Sequence, residues 1–220
     1  MENKQLNDLQ EIRNLMEKSS RFLSLSGLSG VSAGIIALIG AGVAFFYFDF
    51  HTRYFNLNNY FITRSYFKWQ SGIKFLLLDG FAVLVLALAS GIYFTVRRAR
   101  KKGYKIWDST TKRLIVNLSI PLFAGGVFCL ILLSYGIIFL VAPATLIFYG
   151  LALLNASKYT LPDIRYLGIS EIMLGLTGSF FIGYGLLVWA IGFGILHIAY
   201  GSFMYWKYDS DVQDINNYRQ

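Results

Sequence analysis

Cysteine is nearly missing from this sequence: Cys129 is the only one, and it lies inside a long apolar run. That excludes a disulfide framework and a thiolate metal site. Histidine is almost as scarce. His51 and His197 fall in very different segments, which argues against a bis-histidine haem site or a histidine-rich metal cluster within one chain. No nucleotide-binding motif or redox-cofactor cluster is present, so a primary pump or an electron carrier acting alone is not expected. Neither a cofactor nor a metal is expected. Charge is the third shortage. Only 15% of the residues are charged, against about 25% in soluble domains.

What fills the gap is hydrocarbon. The 220 residues are 55% hydrophobic and 17% aromatic, with a mean hydropathy of +0.51. Six apolar runs stand out: Phe22–Phe48, Ile73–Val96, Leu114–Ser134, Ile137–Ala156, Ile164–Ile182 and Leu186–Trp206. Each is about the length that crosses a 30 Å hydrocarbon core. The composition therefore predicts an all-α integral membrane protein, a bundle of six transmembrane helices. Tyr135 and Gly136 separate the third and fourth runs, and Gly183–Gly185 separates the fifth and sixth, so both pairs are expected to be tight hairpins. The expected organisation is an amphipathic N-terminal helix over 1–21, a membrane domain over 22–206 and a tail over 207–220. The first 21 residues carry as many acids as bases, and the following run exceeds a signal-peptide core, so the first span is expected to be retained.

The charges orient the chain. "RRARKKGYKIWDSTTKR", from Arg97 to Arg113, holds eight of the 20 Lys and Arg residues against one acid, Asp108. Such a cluster in a short loop marks the cytoplasmic side. That choice puts both termini inside and leaves only Arg53, Arg64, Lys68 and Lys74 outside. The expected location is the bacterial cytoplasmic (inner) membrane. Arg97, Arg98, Arg100, Lys101, Lys102 and Lys105 are expected to meet anionic lipid headgroups, at about 1 kcal/mol each near the surface. Topology already accounts for the basic loop, so nucleic acid is not an expected partner.

Outside the membrane, "QLNDLQEIRNLMEKSSRF" sets Leu6, Leu9, Ile12 and Leu15 or Met16 on one helical face and balanced charges on the other. It suits interfacial packing or a docked protein partner. The segment 51–70 reads as an outer loop whose aromatics suit the headgroup boundary. The tail has three aspartates but no complete calcium-loop pattern.

Internal similarity suggests three parallel helical hairpin repeats. "RFLSLS" opens the first span at Arg21, "RLIVNLS" the third at Arg113 and "RYLGIS" the fifth at Arg165. The return helices share small-residue turns, "ASGIYF", "FYGLAL" and "AYGSFM". With the basic middle loop, "YGLALLNASKYT" and "GILHIAYGSFMYWKY", this pattern resembles a family of uncharacterised small six-span bacterial inner-membrane proteins. It is also similar to six-helix membrane proteins linked to bacterial acid resistance. Neither resemblance carries a catalytic motif.

Polar residues inside the spans are the candidate site. Glu171 lies six residues after Arg165, about 9 Å deep, and His197 lies nine before Trp206, about 14 Å deep. If the fifth and sixth spans form a hairpin, the two side chains approach each other, as a structural pair or as a proton or ligand site. Asn117 and Asn155, near the cytoplasmic ends of the third and fourth spans, are expected to satisfy backbone groups or each other. Asp79 enters the second span from the outer side, to snorkel to the rim or to contact a solute or cation. Gly27-Leu-Ser29-Gly30 has the GxSG form of rhomboid intramembrane proteases, but the serine sits in the first span and the asparagine–histidine element is missing.

The expectation is a non-enzymatic multi-pass protein that moves a small solute or proton, or assists a transporter. The alternative is a structural or regulatory subunit of a membrane complex, with lipids and either a protein partner or a second copy as its contacts. An intramembrane hydrolase built on Ser29 and His197 ranks third.

Overall fold

The computed structural model describes residues 25–55, 63–103 and 106–208, with side chains described outside 49–71. Its regular elements are all helices, with no strand among the described residues. They are α1 (Gly27–Phe55), α2 (Thr63–Lys102), α3 (Ser109–Ser134), α4 (Val141–Ala156), α5 (Ile164–Phe180), α6 (Gly185–Trp189) and α7 (His197–Tyr208). A 3-10 turn, Ile138–Leu140, leads into α4, and a π-helical stretch, Ala190–Leu196, joins α6 to α7. The segment 1–21, the tail from 209 and Lys105 lie outside the described residues.

Five segments are long and apolar enough to cross a membrane: Gly27–Phe48, Gly72–Lys102, Ser109–Ser134, Ile138–Ala156 and Gly185–Tyr208. Large apolar side chains lie open on their surfaces, among them Leu78 (70% exposed) and Phe123 (76%). Helices that are apolar all round and still exposed suit hydrocarbon rather than water. The run read as Ile164–Ile182 is shorter as a helix. It ends at Phe180 after 17 residues, about 26 Å, at the short limit for a span. The segment 51–70, read as a loop, is largely helical, because α1 continues to Phe55 and α2 starts at Thr63.

The chain divides into two compact units. The first holds Leu25 and Thr95–Phe180 among the described residues. Its α3 starts at Asp108, whose extended backbone lets the carboxylate accept the Thr111 backbone N–H at 2.7 Å and the Thr111 hydroxyl at 2.8 Å. The helix stops at Tyr135, as the spacing predicts. Gly136 takes the left-handed conformation (φ +74°), which a side chain would disfavour. Its N–H bonds the Leu133 carbonyl at 3.0 Å, and the Ile137 N–H bonds the Leu132 carbonyl at 2.8 Å. Ile137 then packs on Cys129, Leu132 and Ala144, which completes a Schellman turn and folds α4 back along α3.

The α4–α5 pair is closer still. A Cβ at Gly150 would stand 2.5 Å from the Gly168 carbonyl oxygen, and one at Gly168 would stand 2.8 Å from the Gly150 oxygen. Further along, a Cβ at Gly175 would meet the Pro143 oxygen and Ile147 Cγ1, each at 2.8 Å. The two backbones touch, which is how membrane helices gain dispersion energy without a hydrophobic drive between them.

The second unit holds Ser26–Phe94 and residues 181–208 among those described. Here α1 and α2 run antiparallel. Ser32 Oγ meets Ser90 Oγ at 3.2 Å, Gly40 lies against Val83, and Tyr47 stacks on Phe75 with centroids 3.8 Å apart. On another face α1 presents Gly27, Gly30 and Gly34 to α7 and the π-helical stretch. A Cβ at Gly34 would stand 2.7 Å from both the Gly194 oxygen and Ile198 Cγ1, and one at Gly201 would stand 2.7 Å from the Gly27 oxygen. Buried Ala37, Ala41 and Ala44 continue this small-residue seam.

The Asp108 cap yields a prediction. Hydrogen bonds from Thr111, its backbone N–H first, hold the Asp108 carboxyl below its ordinary range, against the cost of partial burial. A lowered folded value means the stabilisation is complete above the ordinary 3.8 and is lost as pH falls through the folded value. Asp108→Ala should therefore cost about 1 kcal/mol at neutral pH. In detergent unfolding followed by circular dichroism, the gap between the two chains should close only in strong acid. A gap that stays constant to about pH 2 would refute the cap assignment.

Candidate functional site

Along α5 the buried positions are Ile164, Leu167, Gly168, Glu171, Gly175 and Gly178. They recur every three or four residues and form the stripe that faces α4. Glu171 sits within that stripe, between the two glycine contacts, and its side chain is completely buried (0% exposed). Tyr149, the α4 residue just before Gly150, lies within electrostatic range of the Glu171 carboxylate. Sequence reasoning did not pick out Tyr149, although "FYGLAL" signalled the neighbouring glycine.

His197 belongs to the second unit and Glu171 to the first. His197 is also buried, at 6% exposure. Its Nδ1 lies 3.0 Å from the Gly192 carbonyl oxygen, which fits an Nδ1–H donor. A π-helix shifts the backbone ladder by one residue, and the imidazole meets the carbonyl inside that irregular stretch. The ring stacks on Phe193 at 5.8 Å, and Phe193 packs on Trp189 at 5.1 Å. Ser29, the serine of the GxSG stretch, turns its hydroxyl to the Ser26 carbonyl at 2.5 Å. This bond to its own helix is what a serine in an apolar helix commonly makes.

Asn117 and Asn155 do come together, through a backbone group. Asn155 Nδ2 donates to the Asn117 carbonyl oxygen at 2.9 Å, and Asn117 Nδ2 donates to the Arg113 carbonyl at 2.8 Å. The reason lies one turn along α3. Pro121 sits inside the helix and has no N–H, so the Asn117 carbonyl lacks the donor that position 121 normally supplies. Asn155 reaches across from α4 to provide it. Asp79 is half-buried on α2, its Oδ2 3.6 Å from where a Cβ of Gly40 would stand.

The basic cluster divides. Arg97, Arg100 and Lys101 are exposed, and Lys102 is half-buried. Arg98 departs from the expected headgroup contact: it is buried (8%), and its Nη1 donates to the Leu25 carbonyl, just outside the start of α1. A guanidinium used on a loop carbonyl is withdrawn from the surface. No protein-family model, curated protein or solved structure matches the chain.

The asparagine bridge can be tested by a double-mutant cycle. Asn155→Ala should cost about 1–3 kcal/mol by leaving a carbonyl without its donor. Pro121→Ala restores the helical N–H, so most of that loss should return when both changes are combined. Strictly additive effects would mean that Asn155 does not compensate for the proline.

Proposed function

We propose that this chain is a non-enzymatic multi-pass protein of the bacterial cytoplasmic membrane that moves a small solute or proton, or assists a transporter. One observation supports the reading above the rest. Glu171 is an ionisable group at 0% exposure within an apolar helix, and an ionisable group in such a place is by default a candidate for an ion or proton path. In this reading α5 also spans the membrane, which brings the count to six, both termini are cytoplasmic, and Arg97, Arg100 and Lys101 meet anionic headgroups. A second reading, as a subunit of a membrane complex, is favoured by the broad apolar flank of α2, where Leu78, Phe81 and Leu86 are each more than half exposed.

Orientation is tested by cysteine labelling in a Cys129→Ser background. Tyr135→Cys, at the α3–α4 turn, should react with an impermeant maleimide in intact cells, and Lys158→Cys should react only after lysis. The reverse pattern would overturn the orientation.

Flux is tested in proteoliposomes under an imposed pH gradient. The unaltered chain should pass protons or a coupled solute, and Glu171→Gln should abolish the pH-dependent component, because an amide cannot titrate. Unchanged flux in the variant would remove Glu171 from the pathway.

A further inference from the structure

We infer that the α4–α5 crossing and the crossing of α1 with α7 are two copies of one packing unit, in which Glu171 stands where packing calls only for glycine, and that Glu171 is a proton-carrying group. The inference rests on the transport reading above and narrows its cargo to the proton.

The correspondence is in the contacts themselves. A Cβ at Gly175 would meet the Pro143 oxygen, Ile147 Cγ1 and the Ile147 nitrogen; one at Gly34 would meet the Gly194 oxygen, Ile198 Cγ1 and the Ile198 nitrogen. Gly168 faces the Gly150 oxygen and the Leu154 nitrogen, and Gly27 faces the Gly201 oxygen and the Tyr205 nitrogen. From the other side, Gly150 faces the Gly168 oxygen and the Ile172 nitrogen, and Gly201 faces the Gly27 oxygen and the Val31 nitrogen. A single shift along α4 and α7, and another along α5 and α1, converts each of these backbone contacts into its counterpart. The agreement in which backbone atom meets which gives the two crossings the same packing geometry.

The register this sets differs from that of the opening arginines by three residues. Gly168-Ile-Ser170-Glu171-Ile172 now lies over Gly27-Leu-Ser29-Gly30-Val31, with Gly175 over Gly34. The GxSG stretch is thus half of a repeated packing motif. Asn117-Leu-Ser119 carries the motif a third time, with asparagine at the first glycine position.

In this register Glu171 corresponds to Gly30, and Leu146 to His197. A Cβ at Gly30 would stand 3.1 Å from Gly201 Cα and 3.3 Å from the His197 carbonyl oxygen, so that crossing closes with a hydrogen atom at this position. The crossing therefore has no structural need of a carboxylate. His197 is different, because its imidazole serves the Gly192 carbonyl. Backbone contacts at Gly168 and Gly175 close the crossing one turn to either side of Glu171. A proton, unlike a larger solute, needs only the carboxyl oxygen itself to be carried between such close contacts. Tyr149 is the titratable group that α4 sets against it.

The test uses the purified full-length chain in lipid nanodiscs. Glu171→Gly, the residue of the sister crossing, should melt within about 10 °C of the unaltered chain, the cost of a helical glycine and a vacated volume at this length. Gly168→Leu, which drives a side chain into the Gly150 backbone, should melt far lower. Infrared difference spectra across a pH step should show a protonated-carboxyl band that Glu171→Gln removes. If Glu171→Gly melts as low as Gly168→Leu, the residue is packing glue and the inference falls. If the band survives in Glu171→Gln, the proton is held elsewhere and the inference falls. A stable variant and a lost band, with no flux in the unaltered chain, would uphold the proton site and refute the transport reading alone.

Discussion

Hydrocarbon gives a backbone carbonyl no water to fall back on, so each one left out of the helical ladder needs a donor from the protein. That constraint explains more of this molecule than any single packing contact. Pro121 deprives the Asn117 carbonyl, and Asn155 answers it from the neighbouring helix. The Gly192 carbonyl, inside the π-helical stretch, meets the ring of His197 one turn on. The Leu25 carbonyl precedes α1, and Arg98 turns inward to meet it. Three side chains that look like candidate ligands or headgroup contacts in the sequence are thus engaged with the backbone. Each donation also ties two segments of the same unit, or two turns of one helix.

The glycine seams depend on the same satisfaction of the ladder. Helices can approach until a Gly150 Cα meets a Gly168 carbonyl only if both backbones are already bonded internally. The gain is dispersion and weak Cα–H···O contact, small per atom and large over a seam. Branched side chains beside the seam, such as Ile147 and Ile172 in one unit and Ile198 in the other, fill the flanks. The π-helical stretch belongs to this arrangement, since it sets the buried Gly194 against Leu38 of α1.

The sequence made some of this legible and concealed the rest for identifiable reasons. Apolar run length picked out five helices long and apolar enough to cross a membrane, because hydrocarbon thickness acts on composition directly. Tyr135-Gly136 announced its turn, since only glycine takes that backbone conformation without strain. The helical content of 51–70 was hidden, because aromatic, mildly charged stretches fit an interfacial loop and a helix end equally well. Asn117 and Asn155 were visible as a polar pair, but the proline that explains them sits one turn away and acts by what it lacks. The partners of the glycine seams were not visible. Small residues mark a close contact without saying which helix arrives.

Glu171 fits none of these backbone services in its ionised form. A carbonyl needs a donor, and a carboxylate offers only acceptors. Asparagine, imidazole and guanidinium can each donate, and in this chain each does. For Glu171 to serve a carbonyl in the same way it must carry a proton. For it to conduct, it must take up and release one. Under the proposed reading the proton is the quantity that matters at the α4–α5 crossing. In that reading the carboxyl exchanges its proton through its immediate neighbours, and Tyr149 is the titratable one that α4 supplies.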